Sequence, residues 1–209
     1  MYRGGLCFIT DRTFTGHSPS GMVAAALAAG VTFIQYRDKG RTRREVYDQA
    51  VVLRDLTRRA GATLIINDHA DIALAVDADG VHLGQDDLPL KDARLIMGDR
   101  IVGISTHSLA EAKAAEEGGA DYIGFGPIFP TRTKDAGPSQ GVDNLRMIKH
   151  NVRIPVVAIG GITIANAETV MSAGADCLAV ATGICDGDIA LNARSFVGLL
   201  QSLHRRKNA

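Results

Sequence analysis

Eight short apolar runs recur along this chain at nearly even intervals, and that rhythm constrains the fold more than any other feature. They are LCFIT (6–10), TFIQYR (32–37), TLIIN (63–67), GVHL (80–83), IVGIS (101–105), YIGFG (122–126), PVVAIG (155–160) and CLAVAT (177–182). From residue 6 to residue 177 the seven steps average about 24 residues. The runs are rich in β-branched residues and mostly do not alternate with polar ones. That is the pattern of strands covered on both faces. Between them lie stretches of helical character, such as GMVAAALAAG (21–30), REVYDQAVVLRDLTRRAG (44–61) and SLAEAKAAEEGGA (108–120). Ser108 and Glu111 have capping-box spacing. Gly30, Gly61, Gly118 and Gly174 sit where helices end. The helix-to-strand steps AGV (29–31), AGA (60–62), GGA (118–120) and AGA (173–175) repeat one unit.

Alternating strands and helices imply a parallel sheet. Eight units most simply close into a (β/α)8 barrel, with an open doubly wound sheet as the alternative. No linker or low-complexity stretch interrupts residues 1–209, so one α/β barrel domain is expected over that span. Hydrophobic residues make up 46% of the chain, enough for a large core and too many for global disorder. Lys and Arg total 23 against 23 Asp and Glu, so overall basic charge cannot drive nucleic-acid binding. Trp is absent and aromatics are 5%, which disfavours a stacking platform for single strands. No apolar run reaches membrane-spanning length, and no long apolar leader begins the chain. Cys7, Cys177 and Cys185 lack CxxC spacing and read as buried free thiols. A soluble protein of a reducing cytoplasm is the expectation.

In such barrels chemistry sits where strands end, so the residues after each run carry the functional reading. Gln35, Arg37 and Lys39 alternate and point to one side of an extended segment. They offer an oxyanion clamp, or else an ordinary solvated strand end. Asn67 and Asp68 follow a buried run, where a carboxylate requires a cation or serves as a helix cap. After GVHL come Gln85, Asp86 and Asp87, and either acid could cap the helix opened by Pro89. Two carboxylates on sequential strand ends suit Mg2+, which keeps waters and bridges to phosphates. The fifth run ends at Ser105, with His107 two residues on, and both could face the pocket. His107 reads either as an acid–base or phosphate-binding group or as a structural histidine, and His82 as a core residue. Residues 126–141 form the longest loop, with Thr131, Thr133 and Lys134, and read as a lid or a surface insertion. Gly160-Gly161 and Thr182-Gly183 end the last two runs. Backbone N–H groups there suit a phosphate, and a tight turn is the plainer alternative.

Together QYRDK, NDHADIALAVDADGVHLGQDD, GISTHS, ADYIGFGPIFPTRTKDAGPSQG and PVVAIGGI resemble the thiamine-phosphate synthase family over nearly the whole chain. The resemblance implies a (β/α)8 enzyme, a transferase joining hydroxymethylpyrimidine diphosphate to thiazole phosphate with release of pyrophosphate. It implies that Gln35, Arg37, Lys39, Asn67 and Ser105 hold the pyrimidine diphosphate, and that Lys134 meets the leaving pyrophosphate. Arg37, Lys39, Ser105 and Lys134 would be the groups at the chemistry. Asp68 and Asp87 would bind Mg2+, which selects Asp87 over Asp86. Thr131, Thr133, Gly161, Ala181 and Thr182 would hold the thiazole phosphate. The family usually has Val-Ser where this chain has Ala181-Thr182, and Thr182 keeps the hydroxyl. The resemblance also suggests a homodimer acting on small phosphorylated molecules. The rivals are a thiazole tautomerase on the same scaffold, another phosphate-binding barrel such as an epimerase or an indole-pathway enzyme, and a non-catalytic regulatory barrel. The presence of Asp68, Asp87 and Lys134 favours the synthase over the tautomerase, the other phosphate-binding barrels do not explain QYRDK with NDH and GQDD, and the intact ion set argues against the regulatory barrel.

Overall fold

In the computed structural model, which describes residues 5–11, 16–131 and 137–207, eight parallel strands close into a barrel in sequential order. They are β1 (Gly5–Ile9), β2 (Phe33–Tyr36), β3 (Thr63–Asn67), β4 (Gly80–Leu83), β5 (Ile101–Thr106), β6 (Tyr122–Phe125), β7 (Val156–Ile159) and β8 (Cys177–Val180). Each falls on one of the eight apolar runs. The pairing of β8 with β1 joins Gly5 to Cys177 in register and leaves no edge. The open-sheet alternative is thereby excluded.

Helices α1 (Pro19–Ala28), α2 (Arg43–Arg59), α3 (Ala70–Ala75), α4 (Leu90–Met97) and α5 (Leu109–Glu117) follow the first five strands. Then come α6 (Gly141–Asn151), α7 (Ala167–Ser172), α8 (Thr182–Cys185) and α9 (Ile189–Lys207). The starts are chemically marked. Thr42 accepts from the Glu45 N–H while the Glu45 carboxylate accepts from the Thr42 N–H, a full capping box on α2. Ser108 accepts from the Glu111 N–H at 3.2 Å, but Glu111 turns back to the His107 N–H instead, at 2.7 Å. The box expected there is thus shifted by one residue. Gly30, Gly61 and Gly174 take positive φ after their helices, whereas after α5 the left-handed turn is made by Gly119 (φ 84°) and not Gly118.

Two apolar layers hold the fold. The larger lies between the strands and the helices, with Phe8, Ile34, Leu64, Val81, Ile123 and Leu178 facing outward. The smaller fills the barrel and includes Cys7, Ile9, Phe33, Ile65, Tyr122, Val157 and Cys177. Both faces of each strand are thus apolar near its start, which explains the lack of alternation in the sequence. Toward the strand ends the inward positions turn polar: Phe33 is followed two residues on by Gln35, and Ile65 by Asn67.

At the opposite end a motif repeats in alternate strand pairs. Asp79, Asp121 and Asp176 each precede a strand and accept from an N–H near the start of the strand paired with it, those of Leu64 (2.7 Å), Val102 (2.8 Å) and Val156 (2.8 Å). Each is paired with a cation of the helix that leads into the partner strand, Arg54 of α2, Arg94 of α4 or Lys149 of α6. These carboxylates satisfy backbone donors that the ladder leaves over. The three cysteines are buried and free. Burial pushes all three thiols up, Cys177 to about 12 and Cys185 to about 11.

Candidate active site at the strand ends

The first two strand ends are tied together. Buried Thr10 donates its hydroxyl to the Arg37 carbonyl at 3.1 Å and accepts from the Arg37 N–H at 3.0 Å. This fixes the backbone that carries the QYRDK segment. The Arg37 guanidinium reaches Asp11 at 3.4 Å, and Asp11 is only 3% exposed. Asp11 was not singled out from sequence. Gln35 is buried and donates to Asn67 Oδ1 at 2.8 Å. Lys39 Nζ lies 3.2 Å from Asp68 Oδ2. Of the alternating trio, Gln35 and Lys39 therefore both reach across to the end of β3, while Arg37 turns back toward the end of β1.

Asp68 has a positive φ of 66°, unusual for a residue with a side chain. Its N–H donates to the His82 carbonyl at 2.8 Å, which holds that turn in place. The helix-cap alternative fails for both Asn67 and Asp68, because His69 occupies the N-cap of α3 and makes no side-chain cap bond. It fails likewise for Asp86 and Asp87, since Pro89 occupies the N-cap of α4. Instead Asp87 Oδ2 accepts from the Gly84 N–H at 2.6 Å, which folds the GQDD turn back on itself. Burial pushes the Asp87 carboxyl up, and the adjacent Asp68 carboxylate adds to the rise. The Gly84 N–H and Lys39 oppose it. A carboxylate raised by burial and by a second carboxylate beside it is what a cation between the two would relieve. Among the described residues no group of three or more acidic, His or Cys ligands gathers. A hollow of about 240 Å3 opens beside this cluster, lined by Lys39, Arg41, Arg43, Asn67, Asp68 and His69. A larger one, about 400 Å3, lies at the other end of the barrel, where Gly5, Thr32 and Arg205 line it. It touches none of the site residues expected from sequence.

Ser105 is the penultimate residue of β5, on its inner side. Its hydroxyl lies 2.9 Å from His82 Nε2, and its carbonyl accepts from Gln85 at 2.5 Å. His107 donates from Nδ1 to the Gly126 carbonyl at 2.6 Å, so that side of its ring anchors the start of the long loop. Thr131 is the last described residue before position 137. Thr133 and Lys134 lie outside the described residues.

The Gly160-Gly161 pair packs directly on the 127–130 segment. A Cβ on Gly160 would fall 2.4 Å from Pro127, and one on Gly161 2.6 Å from the Pro130 carbonyl. Their positive φ values, 96° and 63°, favour glycine independently. The pair is thus a tight, closely packed turn, and α7 begins only at Ala167. Ala181 and Thr182 open α8, and Gly183 approaches the Ile162 carbonyl so closely that a Cβ there would sit 2.7 Å away. The last two strand-end loops therefore touch, which brings Gly161 and Thr182 to one side of the barrel mouth.

The model of the family described as thiamine monophosphate synthase matches residues 6–184. The chain belongs to that family. It is 51% identical over 185 residues to the thiamine-phosphate synthase of Chloroflexus aurantiacus, covering 88% of this chain and 86% of the relative. To that of Methanospirillum hungatei it is 48% identical, over 94% and 97% of the two chains. A solved thiamine phosphate pyrophosphorylase from Pyrococcus furiosus superposes with a TM-score of 0.90 at 39% identity, over 97% of this chain and 98% of that one.

Proposed function

We propose that this chain is a thiamine-phosphate synthase, joining a pyrimidine methyl diphosphate to a thiazole phosphate and releasing pyrophosphate. The observation that carries the reading is the meeting of Lys39, Asp68 and Asp87 beside the Gln35–Asn67 pair, at the mouth of a barrel of this family. A tautomerase of a monophosphate alone would have no use for paired carboxylates of this kind. The pairing suits a substrate whose diphosphate brings further negative charge with a divalent ion.

Asp68 and Asp87 fit Mg2+ as a hard-oxygen pair in which burial, with the Asp68 carboxylate adding to it, raises the Asp87 carboxyl. When bound, Mg2+ would neutralise charge on the departing diphosphate. The chain's own groups would do the rest. Arg37 and Lys39 would add fixed positive charge, and Arg37 is preorganised by Asp11. The Gln35–Asn67 bond holds both amides in place for the pyrimidine. Ser105 would contact the same substrate. Thr131, Thr133, Gly161, Ala181 and Thr182 would bind the thiazole phosphate, and Lys134 the leaving pyrophosphate. As the carbon–oxygen bond to the diphosphate breaks, the pyrimidine's amino group stabilises the positive carbon. The thiazole nitrogen then supplies the electron pair for the new carbon–nitrogen bond. No general base is needed. Water must be excluded, which the loop over residues 126–141 would do.

Among the described residues no helix is long and apolar enough to cross a membrane. Three buried, unpaired thiols suit a reducing compartment such as the cytoplasm. The test is to supply both phosphorylated substrates with Mg2+ and follow thiamine phosphate and pyrophosphate. Both should form in equal amounts and depend on Mg2+. Interconversion of the thiazole alone, without coupling, would replace this reading with the tautomerase.

A further inference from the structure

A row of hydrogen bonds crosses the barrel interior beneath Ser105 and is not explained by packing alone. His82 on β4, Gly103 on β5 and Tyr122 on β6 are aligned in register. Gly103 lies between the other two, and a Cβ there would fall 2.1 Å from Tyr122 Cζ. Because that side chain is missing, the tyrosine ring passes over β5 and its hydroxyl reaches His82 Nδ1 at 2.9 Å. The other imidazole nitrogen, Nε2, meets Ser105 Oγ at 2.9 Å. Gly124, aligned with Ser105, leaves room for the imidazole edge, since a Cβ there would come within 3.0 Å of His82 Cε1. Two glycines thus make the slot that holds the chain Tyr122–His82–Ser105. His82 is 7% exposed and Tyr122 1%.

The direction of this chain follows from the donors. Tyr122 lies in the apolar layer with Phe33 edge-on to it at 6.1 Å. A buried phenol donates its hydrogen wherever an acceptor is in reach. Donation to His82 Nδ1 makes that nitrogen the acceptor of the neutral imidazole and places the proton on Nε2. Nε2–H then donates to Ser105 Oγ. A hydroxyl that accepts on one side keeps its own hydrogen for another acceptor. We propose that His82, oriented by Tyr122, is a positioning residue that makes Ser105 a hydrogen-bond donor to an acceptor atom of the pyrimidine substrate. The opposite tautomer would make Ser105 donate inward and leave only its lone pairs for the substrate.

This rests on the reading of Ser105 as a pyrimidine-site residue, and the test has one arm that does not. Nitrogen NMR of the imidazoles, with the His82 signal assigned by its loss in His82→Gln, reports which nitrogen carries the proton. The proposal expects Nε2–H in the substrate-free protein, and Nδ1–H overturns it whatever the enzyme makes. The kinetic arm compares Tyr122→Phe, Ser105→Ala and the double variant. Tyr122→Phe should raise KM for the pyrimidine diphosphate by about 2- to 12-fold, the worth of one neutral hydrogen bond. KM for the thiazole phosphate should stay unchanged. In the Ser105→Ala background the tyrosine change should have no further effect. Partial retention in His82→Gln, which keeps a donor toward Ser105, against full loss in His82→Leu completes the pattern. Additive losses, or equal rises in both KM values, would reduce the row to packing and overturn the proposal. If the parent forms no thiamine phosphate while the Nε2–H tautomer is found, the functional reading fails and the hydrogen-bond chain stands.

Discussion

Replacing Gly103 with Ala tests how strictly the barrel interior dictates its smallest residue. The new methyl would sit 2.1 Å from Tyr122 Cζ, 2.4 Å from Cε1 and 2.5 Å from the hydroxyl oxygen. The backbone has no room to withdraw, because β5 is hydrogen-bonded to β4 on one side and to β6 on the other. The ring must move instead, which breaks its 2.9 Å bond to His82 and its edge contact with Phe33. Overpacking of a filled core costs about 1–3 kcal/mol, and the lost buried hydrogen bond about another 1 kcal/mol. A total of about 2–4 kcal/mol lowers Tm by about 4–16 °C in a chain of this size. The control is Gly198→Ala on α9, where a Cβ meets nothing within 4 Å. There the same chemical change should stabilise by about 0.5–1 kcal/mol through helix propensity. Urea midpoints and thermal melts on the two variants read the contrast. Equal stability of Gly103→Ala and the parent would refute the account of the interior.

Asp87→Asn should abolish most turnover yet raise stability at neutral pH. The fold raises the Asp87 carboxyl, so its contribution is most favourable in acid and is lost as pH rises through that raised value. The advantage of Asn should therefore appear at neutral pH and vanish in acid, as followed by urea unfolding at both. Added Mg2+ should raise Tm of the parent and not of the variant, and an equal rise in both would remove Asp87 from the metal site. Asp121→Ala should cost about 1–3 kcal/mol by orphaning the Val102 N–H, with kcat unchanged because the residue lies at the far end of the barrel. Asp121→Asn, which keeps an acceptor, should cost less in the same melts.

The eight strands were readable because a strand covered on both faces must be apolar along its length, and every run from LCFIT to CLAVAT became one. The placing of Gln35, Lys39, Asn67, Asp68 and Asp87 at one mouth followed from the rule that sites gather at strand ends. Local chemistry was harder to read. Asp68 and Asp87 could pass for helix caps, since only the folded chain shows His69 and Pro89 at the two N-caps. The partner of Arg37 was missed because Asp11 and Arg37 come together only when β1 and β2 pair. His82 read as a core residue because Ser105 and Tyr122, which it bonds, lie 23 and 40 positions away. The signal that exposes it is a glycine aligned between a histidine and a tyrosine on successive strands, visible only once register is known.

The central claim is that the Asp68–Asp87 pair and the cations beside it serve the departure of a diphosphate. Pyrophosphate release by the purified chain, measured with the pyrimidine diphosphate in the presence and absence of thiazole phosphate and Mg2+, tests it most directly. The account predicts Mg2+-dependent release matched one for one by thiamine phosphate, and its loss in Asp87→Asn. Coupling at the parent rate in Asp87→Asn, or no pyrophosphate from the parent, would contradict it.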